Sequence, residues 1–243
     1  MTFRNSTLYF QMRSWARRAG INKLIGKLRY FSFKRHTYEK KFSARLFGEL
    51  RKGDCFWDVG ANVGFYLFDA SEVVGINGKV VGFEPSRHSF SELERKLKTH
   101  QGPSNIILHN EALGDEVGTL EFLDKSGDES VSNCILDGEK KSHPQSIQVA
   151  VITGDSICKI AENVPQVIKI DVEGYEQEVL LGMSHLLDSS NCRAIFCEVH
   201  YGLLEKRGKK FAPKEIEAFL VKKGYGIDWI DDSHFKGTRK VKE

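Results

Sequence analysis

The chain has 243 residues, 40% of them hydrophobic, and a formal net charge of +3 at pH 7. This length and composition suit one domain with a sizeable core. No apolar run reaches the ~18 residues of a membrane span, and the N-terminal residues lack the apolar core of a secretory signal. The five cysteines form no C-x-x-C pair, so we expect free thiols in a cytoplasmic protein rather than disulfides or a zinc site.

Basic charge is concentrated at the start of the sequence. Residues 1–41 hold eleven Lys or Arg and one acidic residue, with aromatic residues interleaved. Periodicity predicts helices over 8–30 and 38–50, so we expect 1–50 to form a basic helical N-terminal extension and 51–243 the main domain. The extension could contact an anionic membrane surface, nucleic acid or a phosphorylated substrate. The alternative is a solvated arm whose aromatic side chains pack on the domain.

The first predicted strand covers residues 55–59, because the residues before Asp58 form a short apolar run. A turn containing Gly60 and Gly64 follows, and then a helix over 63–74. Glycines there permit a tight turn and close backbone approach to a ligand, and N–H groups at the start of the helix can hold an anion. The turn lacks the G-x-G-x-x-G order of dinucleotide sites.

The second predicted strand covers residues 79–84 and ends in Glu84. A carboxylate there can accept hydrogen bonds from both hydroxyls of a ribose, which NAD and S-adenosylmethionine share, so Glu84 alone does not choose between them. Asp58 at the end of the first strand suits a ligand that carries an amine near the turn, as S-adenosylmethionine does. We expect the next helix to begin at Ser89 as N-cap, with Glu92 completing a capping box.

The middle of the chain predicts a third strand over 105–109 and, after it, a pair of added strands over 118–123 and 147–152. The segment between that pair, 124–146, is too long for an ordinary connection, and long loops are often lids or binding loops. The polar residues of this loop that could contact substrate or cofactor, or simply face solvent, are Ser130, Ser132 and Asn133.

The last part of the chain predicts strands over 167–171 and 193–199 with a helix over 176–187 between them. A helix over 213–223 and an antiparallel strand pair over 225–230 and 235–241 follow. This alternation predicts a doubly wound, mostly parallel α/β sheet of seven strands. Ligands bind such sheets at the carboxyl ends of the strands. The polar residues predicted to lie there are Asp58, Glu84, Asn110, Asp171, Glu198 and His200.

Four segments carry a family resemblance in the right order. They are D-V-G-A-N-V-G-F-Y from Asp58, G-F-E-P-S from Gly82, N-E-A-L-G-D from Asn110 and I-K-I-D-V-E-G-Y-E from Ile168. The chain therefore resembles the FkbM family of S-adenosylmethionine-dependent methyltransferases from about residue 54 to 201. The resemblance implies a Rossmann-like class I methyltransferase fold, S-adenosyl-L-methionine as cofactor, and O-methylation of a sugar, glycan or other small-molecule hydroxyl.

Twelve cofactor-binding candidates follow from the resemblance and from their positions. Asp58 is expected to organise the turn or to reach the amine of the methionine part through water, and Glu84 to hold the ribose. The residues expected to shape the methionine pocket are Gly60, Ala61, Asn62 and Gly64. The residues expected near the ribose and adenine are Pro85, Ser86, Asn110, Glu111, Ala112 and Leu113.

The catalytic candidates lie on the same predicted rim. Methyl transfer to a hydroxyl requires alignment with the methyl group and removal of a proton. Asp171 and Glu173 could orient the hydroxyl, or cap the next helix instead. Glu198 and His200 end another strand, and His200 is a candidate general base because its unperturbed pKa is near neutrality. A structural role for His200 is the alternative. A divalent metal on Asp171, Glu198 and His200 is possible but not favoured.

Other functions stay open from the sequence. The fold could serve as a binding or partner subunit without turnover, as an RNA-linked methyltransferase, or as a nicotinamide-dependent oxidoreductase. The chain lacks the N-P-P-Y and D-P-P-Y motifs that often mark methylation of nucleobase amino groups. The remaining histidines, His234 among them, show no ligand spacing and are expected to be surface or structural groups.

Overall fold

The structure is a computed structural model of the chain. It describes residues 30–99, 104–124, 134–136, 146–161 and 164–240. The chain divides into two compact units, Met1–Phe42 and Ser43–Glu243. The predicted helix over 8–30 lies outside the described residues, so the basic extension stays a prediction. Helix α1, Tyr30–Glu49, confirms the helix predicted over 38–50. Among the described helices, none is long and apolar enough to cross a membrane.

Eleven strands occur in the described residues. Their bounds are β1 Cys55–Val59, β2 Lys79–Phe83, β3 Ile106–His109, β4 Ala112–Leu113, β5 Gly118–Leu123, β6 Cys134–Leu136, β7 Ser146–Ile152, β8 Val167–Ile170, β9 Ala194–Glu198, β10 Tyr225–Trp229 and β11 His234–Arg239. Seven of them form the main sheet in the order β10-β11-β9-β8-β1-β2-β3. The five strands from β9 to β3 are parallel, and β10 and β11 are added antiparallel. The predicted seven-stranded, mostly parallel sheet is confirmed.

The strand pair predicted over 118–123 and 147–152 is confirmed as β5 and β7, which are antiparallel. It belongs to a separate four-stranded sheet in the order β4-β7-β5-β6. Neither β4 nor β6 follows from the sequence pattern, because each has two or three residues and is defined by its partner. Ser130, Ser132 and Asn133 lie outside the described residues, so their predicted contacts remain untested.

Six further α-helices follow α1 in the described residues, besides a 3-10 helix at Leu186–Asp188. They are α2 Phe65–Val74, α3 Arg87–Thr99, α4 Gly154–Ala161, α5 Glu176–Leu181, α6 Tyr201–Lys206 and α7 Ala212–Lys222. The helix predicted over 176–187 is wrong in length, since α5 ends at Leu181. A Cβ at the next residue, Gly182, would lie 1.8 Å from the carbonyl oxygen of Gly114, so the backbone of another segment crosses there. No helix was predicted between 199 and 213, where α6 lies.

The core surrounds the central strands and fixes where the polar rim lies. All five residues of β1 and all four of β8 are buried, as expected for strands covered on both faces. Because β3, β2, β1, β8 and β9 are parallel neighbours, their carboxyl ends meet at one edge of the sheet. Asp58, Glu84, Asn110, Asp171 and Glu198 lie in or directly after these ends, which confirms the predicted rim.

Candidate active site

The turn after β1 requires its glycines for steric reasons. Gly60 has a φ of +79°, and a Cβ there would lie 1.9 Å from the carbonyl oxygen of Asp171. Gly64 has a φ of +88°, and a Cβ there would lie 2.7 Å from a side-chain carbon of Leu93. Asn62, at φ +48°, occupies a conformation that Asn tolerates better than most residues. The turn thus brings the ends of β1 and β8 into direct backbone contact.

Glu84 is tied to this turn through main-chain hydrogen bonds. The N–H of Asn62 donates to one carboxylate oxygen at 2.7 Å, and the N–H of Ser86 donates to the other at 2.8 Å. The residue is 6% exposed. Burial raises the pKa of Glu84 to about 7, although the two N–H bonds oppose that shift. Each carboxylate oxygen keeps acceptor capacity, which fits a ligand that donates a pair of hydroxyls.

Asn110, Pro85 and Ser86 support this carboxylate. The Asn110 side-chain amide donates to the carbonyl oxygens of Glu84 at 2.8 Å and Pro85 at 3.3 Å. The Ser86 hydroxyl accepts the N–H of Ser89 at 3.2 Å, inside α3. The predicted N-cap at Ser89 is therefore wrong, because α3 begins two residues earlier and Ser86 supplies the capping oxygen.

The residues predicted near the adenine differ in exposure. Ala112 and Leu113 form β4, and their side chains are buried in the core. Glu111 is partly exposed, with a carboxylate oxygen 3.5 Å from Nδ1 of His109. The His109 ring stacks on Phe83, with ring centroids 5.1 Å apart. The expected adenine contacts at Asn110 to Leu113 stay predictions.

A buried lysine, which the sequence analysis did not single out, lies between the acidic residues at the ends of β1 and β8. The Lys169 ammonium lies 3.0 Å from Oδ1 of Asp58 and 3.6 Å from Oδ2 of Asp171, and it donates to the carbonyl oxygen of Gly60 at 2.9 Å. It also lies over the Tyr66 ring. Burial disfavours the charged form, but the two carboxylates raise the pKa of Lys169 above its ordinary value. The signal in the sequence was a lone Lys inside the apolar strand Val-Ile-Lys-Ile.

His200 lies at the centre of the predicted catalytic residues. Its Nε2 is 3.2 Å from a carboxylate oxygen of Glu173, 3.7 Å from one of Asp171 and 3.8 Å from one of Glu198. The side chains of these three acids are 29 to 32% exposed. The structure therefore brings all four predicted catalytic residues together, with three carboxylates around one ring nitrogen.

A fourth carboxylate, Glu176, contacts His200 from the other side and was not predicted. Its Oε1 lies 2.7 Å from Nδ1 of His200 and accepts the N–H of Gly174 at 2.9 Å. Glu176 is fully buried at the start of α5. Acidic residues in the first turn of a helix are common, so nothing in the sequence distinguished this one.

These charges decide the protonation state of His200. Burial alone lowers the pKa of the imidazole, but the hydrogen bond with Glu176 and the charges of Glu176, Asp171 and Glu173 raise it to about 10. His200 is an imidazolium at neutral pH. The unperturbed pKa that made His200 a candidate general base therefore does not describe the ring in this site, and a lone histidine in the sequence gave no sign of four surrounding carboxylates.

His234, expected to be a surface or structural group, holds Glu198 in place. Antiparallel pairing sets His234 opposite Glu198, and its Nε2 lies 3.3 Å from a carboxylate oxygen of that residue. Its Nδ1 lies 2.9 Å from Asp231. Burial lowers the pKa of His234, but the hydrogen bonds with Asp231 and Glu198 raise it to about 9. Burial raises the pKa of Glu198, but His234 and His200 bring it below its ordinary value.

In the described part of the chain, one group of three side chains has ligand atoms close enough together to hold a metal ion. One ligand atom from each of Asp171, Glu198 and His200 lies within 4.8 Å of the others. A ligating imidazole must give up the proton on that nitrogen. The three carboxylates near Nε2 attract a proton or a divalent cation alike, so a divalent metal here stays a prediction.

The fold is of the Rossmann-like class I methyltransferase type, and comparison with known proteins gives the family. The family described as "Methyltransferase FkbM domain" matches residues 58–227, well over half of the chain. The chain belongs to the FkbM methyltransferase family. All of the predicted site residues lie within the matched range.

Two relatives give the extent of the similarity. The chain is 30% identical over 160 residues to the hexuronic acid methyltransferase AglP of Haloferax volcanii, covering 65% of this chain and 61% of that protein. It also matches the crystal structure of methyltransferase FkbM from Methylobacillus flagellatus KT with a TM-score of 0.52 and 18% identity, covering 78% of this chain and 45% of that one. The chain thus spans less than two thirds of either relative, and the second likeness concerns the fold alone.

Proposed function

We propose that the protein is an S-adenosylmethionine-dependent O-methyltransferase that acts on a hydroxyl group of a sugar-type acceptor. One observation carries this proposal. The glycine turn with Glu84 lies at the same sheet edge as the acidic group around His200, and Lys169 bridges them through Asp58 and Asp171. We call the glycine turn with Glu84 the cofactor end and the acidic group around His200 the acceptor end, and the two adjoin at one edge of the sheet.

The cofactor end suits S-adenosylmethionine. When bound, this molecule supplies an electrophilic methyl group on a sulfonium. The Glu84 carboxylate is oriented by the N–H groups of Asn62 and Ser86, so its free lone pairs can accept the two ribose hydroxyls. Asp58 is fully buried beside Lys169, which favours a role in holding the turn over direct contact with the ligand.

The acidic group around His200 suits a methyl acceptor whose hydroxyl groups donate hydrogen bonds. Ionised carboxylates accept hydrogen bonds and cannot donate them, so Asp171, Glu173 and Glu198 favour a group that brings O–H donors, such as a sugar ring. They disfavour an anion. If the acceptor is a hexuronic acid, like the one named for the Haloferax volcanii relative, its own carboxylate points away from this rim.

Proton transfer in this proposal uses a carboxylate and not His200. Because His200 carries a proton at neutral pH, it cannot act as general base there. Glu198 stays ionised, since His234 and His200 lower its pKa. A carboxylate at Asp171 or Glu198 orients the acceptor hydroxyl and receives its proton late in the reaction. His200 holds these carboxylates near one another.

The test is transfer of a radiolabelled methyl group from S-adenosylmethionine to methyl β-D-glucopyranosiduronate, with the neutral methyl β-D-glucopyranoside alongside. Labelled methyl ether on either sugar, reduced at least ~100-fold by Asp171→Asn at unchanged cofactor affinity, supports the proposal. Cofactor binding without methyl transfer to either sugar supports the alternative of a binding subunit. Repeating the assay with chelator and with added Mg²⁺ tests the metal.

A further inference from the structure

Glu176 contacts two separate parts of the acceptor end with one atom. Its Oε1 accepts the N–H of Gly174 at 2.9 Å and lies 2.7 Å from Nδ1 of His200. Gly174 belongs to the turn after β8, whereas His200 follows β9. A single buried oxygen therefore links the ends of two strands.

The turn that Glu176 holds is conformationally unusual. Glu173 has a φ of +52° and Gly174 a φ of +96°. Residues other than glycine rarely adopt the left-handed region, and such geometry persists only where the surroundings impose it. The hydrogen bond from Gly174 to Glu176 is such a constraint. The position of the Glu173 carboxylate, 3.2 Å from His200, depends on this turn.

His200 also compensates the buried carboxylate of Glu176. A buried carboxylate is costly unless a cation or several donors compensate it. Among the described residues, Oε2 of Glu176 is buried and has no hydrogen-bond partner, so the compensation reaches this side chain through Oε1. The ring of His200 is thereby fixed with Nδ1 towards Glu176 and Nε2 towards Asp171, Glu173 and Glu198.

We propose that Glu176 is a positioning residue for methyl transfer, which fixes the His200 ring and the turn bearing Glu173 through one carboxylate oxygen. The expected effect of Glu176 on turnover rests on the proposed function. The fixing of the ring is a property of the free protein and can be measured without any acceptor.

The variants separate the two contacts of Glu176. Glu176→Gln keeps an oxygen that can accept the Gly174 N–H but removes the charge opposite His200. Glu176→Ala removes both contacts, and if it fails to fold, Glu176→Gln carries the test. Asp54→Asn is the matched control, because Asp54 is also a buried carboxylate, is paired with Arg193, and precedes β1 at the opposite edge of the sheet.

The first readout is the ¹⁵N NMR spectrum of the His200 ring at pH 7.5, and the second is kcat with methyl β-D-glucopyranosiduronate alongside the dissociation constant for S-adenosylmethionine. We expect Glu176→Gln to shift the Nδ1 signal of the His200 ring, because the hydrogen-bond partner of Nδ1 loses its charge. We expect kcat to fall about 10- to 100-fold, as misplacement of reacting groups does, with cofactor affinity changed less than ~2-fold. Asp54→Asn should lower the melting temperature and leave the His200 signals and kcat unchanged.

Unchanged His200 signals in Glu176→Gln would overturn the proposal, as would an equal loss of kcat in Asp54→Asn. If the wild type methylates neither sugar while the His200 signals respond as expected, the acceptor class of the proposed function fails and the fixing of the ring by Glu176 stands.

Discussion

Replacement of Lys169 by methionine should destabilise the protein strongly. Lys169 is 2% exposed and lies 3.0 Å from Asp58, which has no solvent exposure. Methionine fills much of the same volume but leaves the Asp58 carboxylate buried without its cation. Removing one member of a buried ion pair costs about 3 to 5 kcal/mol. At roughly 2 to 4 °C per kcal/mol for a domain of this size, the melting temperature should fall by about 6 to 20 °C.

Urea denaturation followed by circular dichroism measures this cost. Lys223→Met is the matched control, because Lys223 pairs with an exposed carboxylate of Asp188 and such pairs contribute about 1 kcal/mol or less. The double variant Asp58→Asn with Lys169→Met should be more stable than the two single losses added together, since they share one interaction. Equal losses at Lys169 and Lys223, with additive single effects, would refute the bridging role of Lys169.

Two further predictions follow from the geometry of the rim. Gly60→Ala should abolish cofactor binding and destabilise the fold well beyond Gly53→Ala. Both glycines have a positive φ, but of the two only Gly60 lacks space for a Cβ. Thermal melts compare the two variants, and equal melting temperatures would contradict the steric reasoning. The free energy of unfolding should decrease between pH 7 and 9.5 more steeply in the wild type than in His200→Gln. The pKa of folded His200 is raised to about 10, so its stabilisation is complete below about pH 6.5 and is lost as the pH rises through 10. Parallel slopes would show that His200 is not the titrating group.

Much of the fold could be predicted because its signals are local. The apolar strands carrying Asp58, Glu84 and Asp171 at their ends are each readable within five or six residues, and parallel topology then places their ends together. The same reasoning correctly assigns Asp171, Glu173, Glu198 and His200 to one rim from the sequence alone. Short elements such as β4 and β6 were missed, since their existence depends on distant partners.

The charges of the site could not be predicted, because they depend on register and distance. Lys169 meets Asp58 because the two are neighbours across the parallel strands β8 and β1, which are separated by more than a hundred residues of sequence. His234 lies opposite Glu198 because β11, which follows the last helix, pairs antiparallel with β9. The protonation of His200 follows from carboxylates on two different strand ends and a helix, so its unperturbed pKa was a poor guide.

The most direct measurement is calorimetric binding of S-adenosylmethionine and S-adenosylhomocysteine to the purified protein. Wild type should bind both, and Glu84→Ala should weaken binding by at least ~10-fold, because hydrogen bonds to a charged group are worth about 1.5 to 3 kcal/mol. Glu92→Ala, which alters an exposed carboxylate on α3, should bind like the wild type. Failure of the folded wild-type protein to bind either ligand, or equal affinity in Glu84→Ala, would contradict the assignment of this rim as an S-adenosylmethionine site.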